Sequence, residues 1–400
     1  MALTSIQDAQ ARLLGDVDPL GSETVTLAEA DGRVLAVDLV ALRTQPPFDA
    51  SAMDGYAVRA VDLSTGARLR VIGTSAAGHG FDAPVGPGEA VRIFTGAPVP
   101  DGADTILIQE NGERDGDDVI VAGPETPGRF VRPAGLDFRE GAVVLPAGRR
   151  LGSREIGLAA ATGHPALTVR RRPVVAVLAT GDELVAPGEA AGPDQIVASN
   201  GYALAALIRA AGGRAVDLGI APDDLGVLRA RIRAGIEAGA DIVCLLGGAS
   251  VGDLDLTRPA LEAEGVTIDL WKIAMRPGKP LMFGRSGPVR AIGLPGNPVS
   301  SLVCGLLFVA PLVRRLAGET DVLPDEEPAV LGRDLPENDR RQDYLRASLE
   351  RDADGTLVAT PFPVQDSSMM SVIARADALV IRAPQAAAAK TGDRVRIIRL

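Results

Sequence analysis

Residues 174–184 read Val-Val-Ala-Val-Leu-Ala-Thr-Gly-Asp-Glu-Leu. Six apolar residues followed by Thr-Gly-Asp predict a strand buried on both faces that empties into a polar loop. The same grammar recurs downstream. Asp241-Ile-Val-Cys-Leu-Leu runs into Gly247-Gly-Ala-Ser-Val-Gly-Asp253, and residues 289–293 run into Leu294-Pro-Gly-Asn-Pro-Val-Ser-Ser301. Helical patterns at 200–211 and 223–238, with a strand beginning at Arg214, fill the gaps between these runs. Apolar strands alternating with helices predict a parallel, doubly wound α/β sheet, which binds ligands in the loops beyond the carboxyl ends of its strands.

Outside this region the rhythm changes. Residues 4–15 form an amphipathic pattern that Thr4 can cap, with Ile6, Ala9, Leu13 and Leu14 on one face. From 41 to 141 short β runs at 68–72, 90–94, 105–109 and 118–122 alternate with Gly/Pro turns, predicting a small β-rich module. Another β-rich module begins near residue 323. The longest apolar stretch, 302–313, contains Gly305 and Pro311 and is too short to span a bilayer, so it reads as a core helix.

Composition narrows the function. With 46% hydrophobic residues over 400 positions, the chain can bury several cores, and its length suggests two to four domains. Aromatic residues make up 3%, against 46 Gly and 29 Pro, which suits tight turns and closely packed helix–strand layers. A net charge of −11 argues against nucleic acid or an anionic membrane as the main partner. The two cysteines, Cys244 and Cys304, sit in apolar runs and read as buried free thiols of a cytoplasmic protein. With two histidines in the whole chain, a Cys/His zinc site is nearly excluded.

Against that acidic background, Trp271-Lys-Ile-Ala-Met-Arg-Pro-Gly-Lys-Pro280 stands out. Of the 41 basic residues only three are lysines, and two of them, Lys272 and Lys279, flank Arg276 here. Three cations within eight residues repel one another unless an anion lies between them, so the segment is either an anion site or a solvated basic loop. The neighbouring loops carry matching equipment. Asn297 and Pro298 suit the cap and first turn of a helix whose N–H groups and dipole favour an anion. In the glycine-rich loop, Ser250 adds a hydroxyl, and Asp253 and Asp255 are of the type that holds Mg²⁺ beside phosphate oxygens. Asp182, Glu183, Asp223 and Asp224 add carboxylates, each of which also reads as a helix cap, Asp223 above all. Upstream, Asp49, Ser51 and Asp54 crowd the segment Pro46-Pro-Phe-Asp-Ala-Ser-Ala-Met-Asp-Gly-Tyr-Ala-Val-Arg59, which reads otherwise as a buried interdomain strand. Carboxylates and cations at strand ends together point to metal-assisted chemistry on a phosphorylated substrate.

The motifs PPFDASAMDGYAVR, RIFTGAPVP, ATGDEL, GGASVGDLD, KIAMRPGKP and GLPGNPVSS, in this order, resemble the MoeA family of molybdopterin molybdenumtransferases over essentially the whole chain. The resemblance implies an elongated four-domain homodimer that inserts molybdate into adenylyl-molybdopterin in a Mg²⁺-dependent step, releasing AMP. Its central domain would resemble the molybdopterin-adenylyltransferase fold. The implied division is 3–21 with 173–322 as the central α/β domain, and 22–40 with 142–172 as a linking domain. Residues 41–141 would be an inserted β-rich arm and 323–400 a C-terminal β-rich domain. Molybdopterin adenylyltransferase and molybdoenzyme maturation factors are the implied partners.

Carried over by motif position, Asp54 and Thr95 match functional positions of the arm. Glu183, Asp223 and Asp255 match acids near the pterin or metal, with Asp255 and Glu183 as metal ligands. Lys272, Arg276 and Lys279 match the cationic cluster, and Pro295 and Pro298 the PGNP loop. Arg346 and Ser367 in the last domain match more loosely. Two departures stand out: Arg276 replaces the family's usual lysine, and Gln365-Asp-Ser-Ser replaces a stretch richer in Gly and Ser. The rival readings are a nucleotide or pyrophosphate hydrolase on the same central fold and a non-catalytic scaffold.

Overall fold

A computed structural model describes residues 3–123, 125–247 and 256–400 of the chain. At its centre lies a six-stranded sheet built from β1 (Val174–Thr180), β2 (Arg214–Ala221), β3 (Ile242–Leu246), β4 (Thr267–Trp271), β5 (Leu281–Ser286) and β6 (Val289–Leu294). The strand order is β2-β1-β3-β6-β5-β4. The first four of these neighbours pair in parallel, as the apolar runs predict. The other edge corrects the expectation of a wholly parallel sheet, because β5 is antiparallel to both β6 and β4. The cause is local. Ser286 pairs with Val289 across a two-residue Gly287-Pro288 turn, with Gly287 at φ +56°, and so short a link joins only antiparallel strands.

Helices cover both faces of the sheet. Ile6–Leu14 packs on the central core through Ile6, Ala9 and Leu13. Its cap is Ser5 rather than Thr4: the Asp8 N–H donates to Ser5 Oγ at 3.0 Å. Thr4 is engaged elsewhere, exchanging backbone hydrogen bonds with Lys272 and Ala274 at 2.9 and 2.8 Å. The helix Leu225–Glu237 is capped by Asp224, which accepts from the Val227 N–H, so Asp223 is released from the capping role its sequence position suggests.

The apolar C-terminal helix of this domain runs from Pro298 to Leu316, longer than the 302–313 stretch, and its length and hydropathy would suit a membrane span. It is instead 78% buried over its most apolar window, among the other elements of the core. A wide π-type turn at Gly305–Val309 precedes Pro311. Pro311 has no N–H to give Leu307, four residues earlier, and Gln10 Nε2 donates to that carbonyl at 3.0 Å.

Three further units surround this centre. Ser22–Thr26 pairs with Ala166–Arg170 and Leu39–Val40 with Val143–Leu145, over a core that includes Leu35, Leu151, Ala159 and Val169. Between them the chain makes a six-stranded sheet in the order Thr105–Ile108, Gly55–Val58, Glu89–Ile93, Arg68–Ser75, Asp118–Val121, Gly112–Asp115. Gly55 lies between two neighbours so closely that a Cβ would stand 2.9 Å from Ile108 Cα. The last unit is a closed barrel. Gln342–Arg351 pairs with Leu357–Pro361 on one side and Ala378–Arg382 on the other, and Glu327–Leu331 and Arg394–Arg399 complete the ring. Met275–Arg276 adds to this barrel in parallel, opposite Gln342 and Asp343. The segment 272–280 is therefore a seam joining the N-terminus, the central sheet and the barrel.

Candidate active site

Three strand ends converge on one cavity. Beyond β1, Gly181 at φ +145° lets the Glu183 carboxylate fold back over it, into space a Cβ would fill. Beyond β3, Gly247 at φ +106° passes so near β1 that a Cβ there would lie 2.7 Å from the Thr180 carbonyl oxygen. Beyond β6 comes the Pro295-Gly-Asn-Pro298 loop, whose Gly296 carbonyl accepts from Asn200 Nδ2 at 2.7 Å. The close approaches at Gly181 and Gly247 call for glycine at those two strand ends.

The cavity holds about 690 Å³ and is lined in part by Glu183, Gly247, Lys279, Pro295, Pro298 and Ser300. Ser368 and Met370 of the last unit form another part of its wall. Asn297 occupies the cap position and Pro298 the first helical position, as expected, but the Asn297 side chain does not cap. Its Nδ2 reaches the Ser367 Oγ at 3.1 Å, and the Ser367 carbonyl accepts the Val299 N–H at 3.0 Å. One of the helix's first N–H groups is thus already used, and the terminus is tied to the barrel.

Carboxylates gather beside this cavity. The Asp223 N–H donates to Asp182 Oδ1 at 3.1 Å. Partial burial pushes the Asp223 carboxyl above its usual range, and the charges of Asp182 and Glu183 add to the shift. Asp182 also lines an adjoining cavity of about 770 Å³. Among the described residues no group of three or more Asp, Glu, His or Cys has the geometry of a metal site. Ser250 and Asp255, the other acceptor and ligand expected here, lie outside the described residues.

The cationic segment divides. Lys279 lines the cavity. Arg276 turns to the barrel, where it pairs with Asp343, lies 3.5 Å from Asp339 and donates to Asn338 Oδ1 at 3.3 Å. The anion that reconciles Arg276 with its neighbours is therefore the protein's own. Lys272 is half-buried and does not line the cavity, and its carbonyl anchors Thr4. Among the described residues the only lysine in an ion pair is Lys390, with Asp334.

Arg346 is 1% exposed, and its Nη2 donates to the Asp366 carbonyl at 2.9 Å. Its Nε is buried without a hydrogen-bond partner among the described residues, and burial lowers its pKa. Asp54 and Thr95 stand together on the arm, outside the residues that line the cavity. Thr95 donates from both N and Oγ to Asp54 Oδ1 at 2.8 Å, and these bonds hold the carboxyl below its usual range. Sequence reasoning missed Asn200, Asp343 and Gln365. For Asn200 the signal was an amide side chain at a helix start facing a ligand loop. For Asp343 no local signal exists, because Arg276 lies 67 residues away, and the stretch holding Gln365 stood out only as a departure from the expected motif.

Family models match the chain almost end to end. Residues 4–163 match the MoeA N-terminal region (domains I and II), 176–315 a probable molybdopterin binding domain, and 328–400 the MoeA C-terminal region (domain IV). A molybdopterin molybdenumtransferase of Haemophilus influenzae is 33% identical over 398 residues, covering 99% of this chain and 98% of that protein. One from a Nostoc species is 39% identical over 328 residues, 79% of this chain and 75% of that one. A crystal structure of a molybdopterin biosynthesis MoeA protein from Pyrococcus horikoshii superposes with a TM-score of 0.85 at 27% identity, covering all of both chains. With full-length similarity in both sequence and fold, this chain belongs to the MoeA family.

Proposed function

We propose that the chain acts as a molybdopterin molybdenumtransferase in molybdenum cofactor biosynthesis, inserting molybdate into adenylyl-molybdopterin with release of AMP. The observation that carries this reading is the joint cavity, where Lys279, the start of the Pro298 helix and Glu183 meet at three strand ends. Lys279 and the helix terminus would receive the substrate's phosphates and the molybdate oxyanion, relieving charges that otherwise repel. Arg346, buried with no carboxylate in ion-pair contact among the described residues, adds positive charge behind the Ser367 loop.

Mg²⁺ would need Asp255 as a ligand, because the described carboxylates by themselves form no metal site. Burial raises the Asp223 carboxyl pKa, the charges of Asp182 and Glu183 add to the shift, and Asp255 follows in the glycine-rich loop. One or two carboxylates with phosphate oxygens and water are the ligands this ion prefers. Bound on Asp255 and Glu183, it would polarise the phosphoanhydride. The chain's own residues orient the anhydride, hold the leaving AMP phosphate and exclude competing anions, so positioning and charge neutralisation carry the rate. The substrate's dithiolene sulfurs take the molybdenum. Cys244 and Cys304 are fully buried, and burial pushes the Cys244 thiol up to about 12 and the Cys304 thiol up as well, which makes them poor ligands.

We place the protein in the cytoplasm as a homodimer, supplied by molybdopterin adenylyltransferase and serving molybdoenzyme maturation factors. The decisive assay is molybdate-dependent AMP release from adenylyl-molybdopterin by wild type and Asp255→Ala. Absence of release from the wild type defeats the assignment, and undiminished release from the variant defeats the metal role of Asp255. AMP release that ignores molybdate would instead mark a hydrolase.

A further inference from the structure

Gln365 follows the strand Leu357–Pro361 of the barrel, and its amide extends the ladder beside Arg346. Gln365 Oε1 accepts the Arg346 N–H at 2.9 Å, while Nε2 donates to the Arg346 carbonyl at 3.0 Å and to the Phe362 carbonyl at 2.8 Å. One side chain thus satisfies the Arg346 N–H, as an adjacent strand would, and adds a second donor to a carbonyl that already accepts the Phe362 N–H at 2.9 Å. The Arg346 guanidinium returns the contact one residue on, at the Asp366 carbonyl. Asp366 then fixes Ser368, two residues on, accepting from its N–H and Oγ–H at 2.8 and 2.6 Å. At the far end, Ser367 holds Asn297 and Val299 at the start of the cavity helix.

We infer that Gln365 is a positioning residue for the anion end of the cavity, acting through Arg346 and Ser367 on the Asn297–Ser300 turn. The Gln365 clamp makes the barrel a rigid support for the helix terminus, so the last unit sets the placement of donors in the central one. The inference rests on the transferase reading for its kinetic arm only.

The test uses the full-length protein with Gln365→Met, which keeps the side chain's size and removes its hydrogen bonds, and Gln365→Glu, which keeps the acceptor and loses the donor. Both should retain a wild-type circular dichroism spectrum. In molybdate-dependent AMP release, Gln365→Met should raise KM for adenylyl-molybdopterin about tenfold while kcat changes less, as lost positioning of a binding group predicts. Gln365→Glu should not restore it. Combined with Ser367→Ala, the penalties should fail to multiply, because both changes break one chain of contacts. Independently of any reaction, amide hydrogen exchange at Val299 and Ser300 should quicken in Gln365→Met. Unchanged exchange there overturns the inference, as does a wild-type KM or a multiplicative double variant. If wild type releases no AMP, the transferase reading falls and the exchange measurement alone decides the positioning role.

Discussion

Thr95 gives both its backbone N–H and its Oγ–H to a single oxygen, Oδ1, of Asp54, each at 2.8 Å. The two bonds stabilise the ionised carboxyl and lower its pKa, with the nearby Arg92 charge contributing least. A depressed carboxyl keeps its charge as pH falls below its ordinary range, and the charge and its contribution are lost only on approaching the depressed value. Thr95→Val removes the Oγ–H donor and keeps the N–H. The Asp54 titration, followed by NMR, should then move upward towards its ordinary value, and the acid limb of AMP release should move with it. Asp54→Ala should lower turnover by roughly tenfold or more. A wild-type acid limb in Thr95→Val would remove Asp54 from the reaction.

Arg276 and Asp343 are paired twice, through strand register and through their side chains. Asp343 is almost wholly buried, and its Oδ1 already lacks a partner among the described residues. Arg276→Ala would strand that carboxylate and loosen the seam between barrel and central sheet. Because the arginine is about half exposed, the loss should be about 2 kcal/mol rather than the larger cost of a wholly buried pair. Urea denaturation checks this. Arg276→Lys should recover part of the loss, since an ammonium keeps the charge but not the planar reach to Asn338 and Asp339.

Asp223, Asp182 and Glu183 repel one another in the protein without metal. Asp223→Asn should therefore raise the thermal midpoint slightly in the presence of a chelator. It should also shrink the rise that millimolar Mg²⁺ gives the wild type, because a ligand that binds the folded state stabilises it in proportion to its affinity. A variant stabilised by Mg²⁺ as strongly as wild type would place the metal away from this cluster.

Gln10 supports the long apolar helix at the carbonyl that Pro311 cannot serve. Gln10→Ala leaves that bond unmade, and the expected loss is about 1 kcal/mol in chemical denaturation. Gln10→Glu should cost at least as much, since an ionised carboxylate cannot donate. Catalytic constants should stay at wild-type values in both variants.

What the sequence makes legible is whatever depends on neighbours along the chain. The apolar runs 174–179 and 242–246 announce buried strands, and Gly181 and Gly247 mark where strand ends crowd together. The proline-bounded start of the helix at Pro298 is equally plain. Contacts made across the fold are hidden. Asn297 meets Ser367 70 residues away, and Arg276 meets Asp343 67 residues away. Neither distance leaves a periodicity, so three cations close in sequence look like one cluster although packing sends Arg276 to the barrel. Asp223 and Asp224 show the same limit at short range. Either can cap a helix, and only the backbone path into Leu225 decides that Asp224 does.

Lys279 is the lysine of its segment that lines the cavity, beside Pro280 and opposite the Pro295–Pro298 loop. It makes no ion pair among the described residues, so its charge is available to an incoming anion. An ammonium places three donors around one point, whereas a guanidinium is planar and extends further from the backbone. In a cavity bounded by Gly247 and a helix terminus, the larger group must displace either the loop or the anion. Lys279→Ala should raise KM for molybdate by roughly 10- to 100-fold, the worth of one charge-assisted hydrogen bond. Lys279→Arg should recover little of that loss, whereas Arg276→Lys should leave the molybdate KM near wild type because that side chain serves Asp343. If Lys279→Arg matches wild type, the site reads charge alone, and the scarcity of lysine in this chain has no bearing on it.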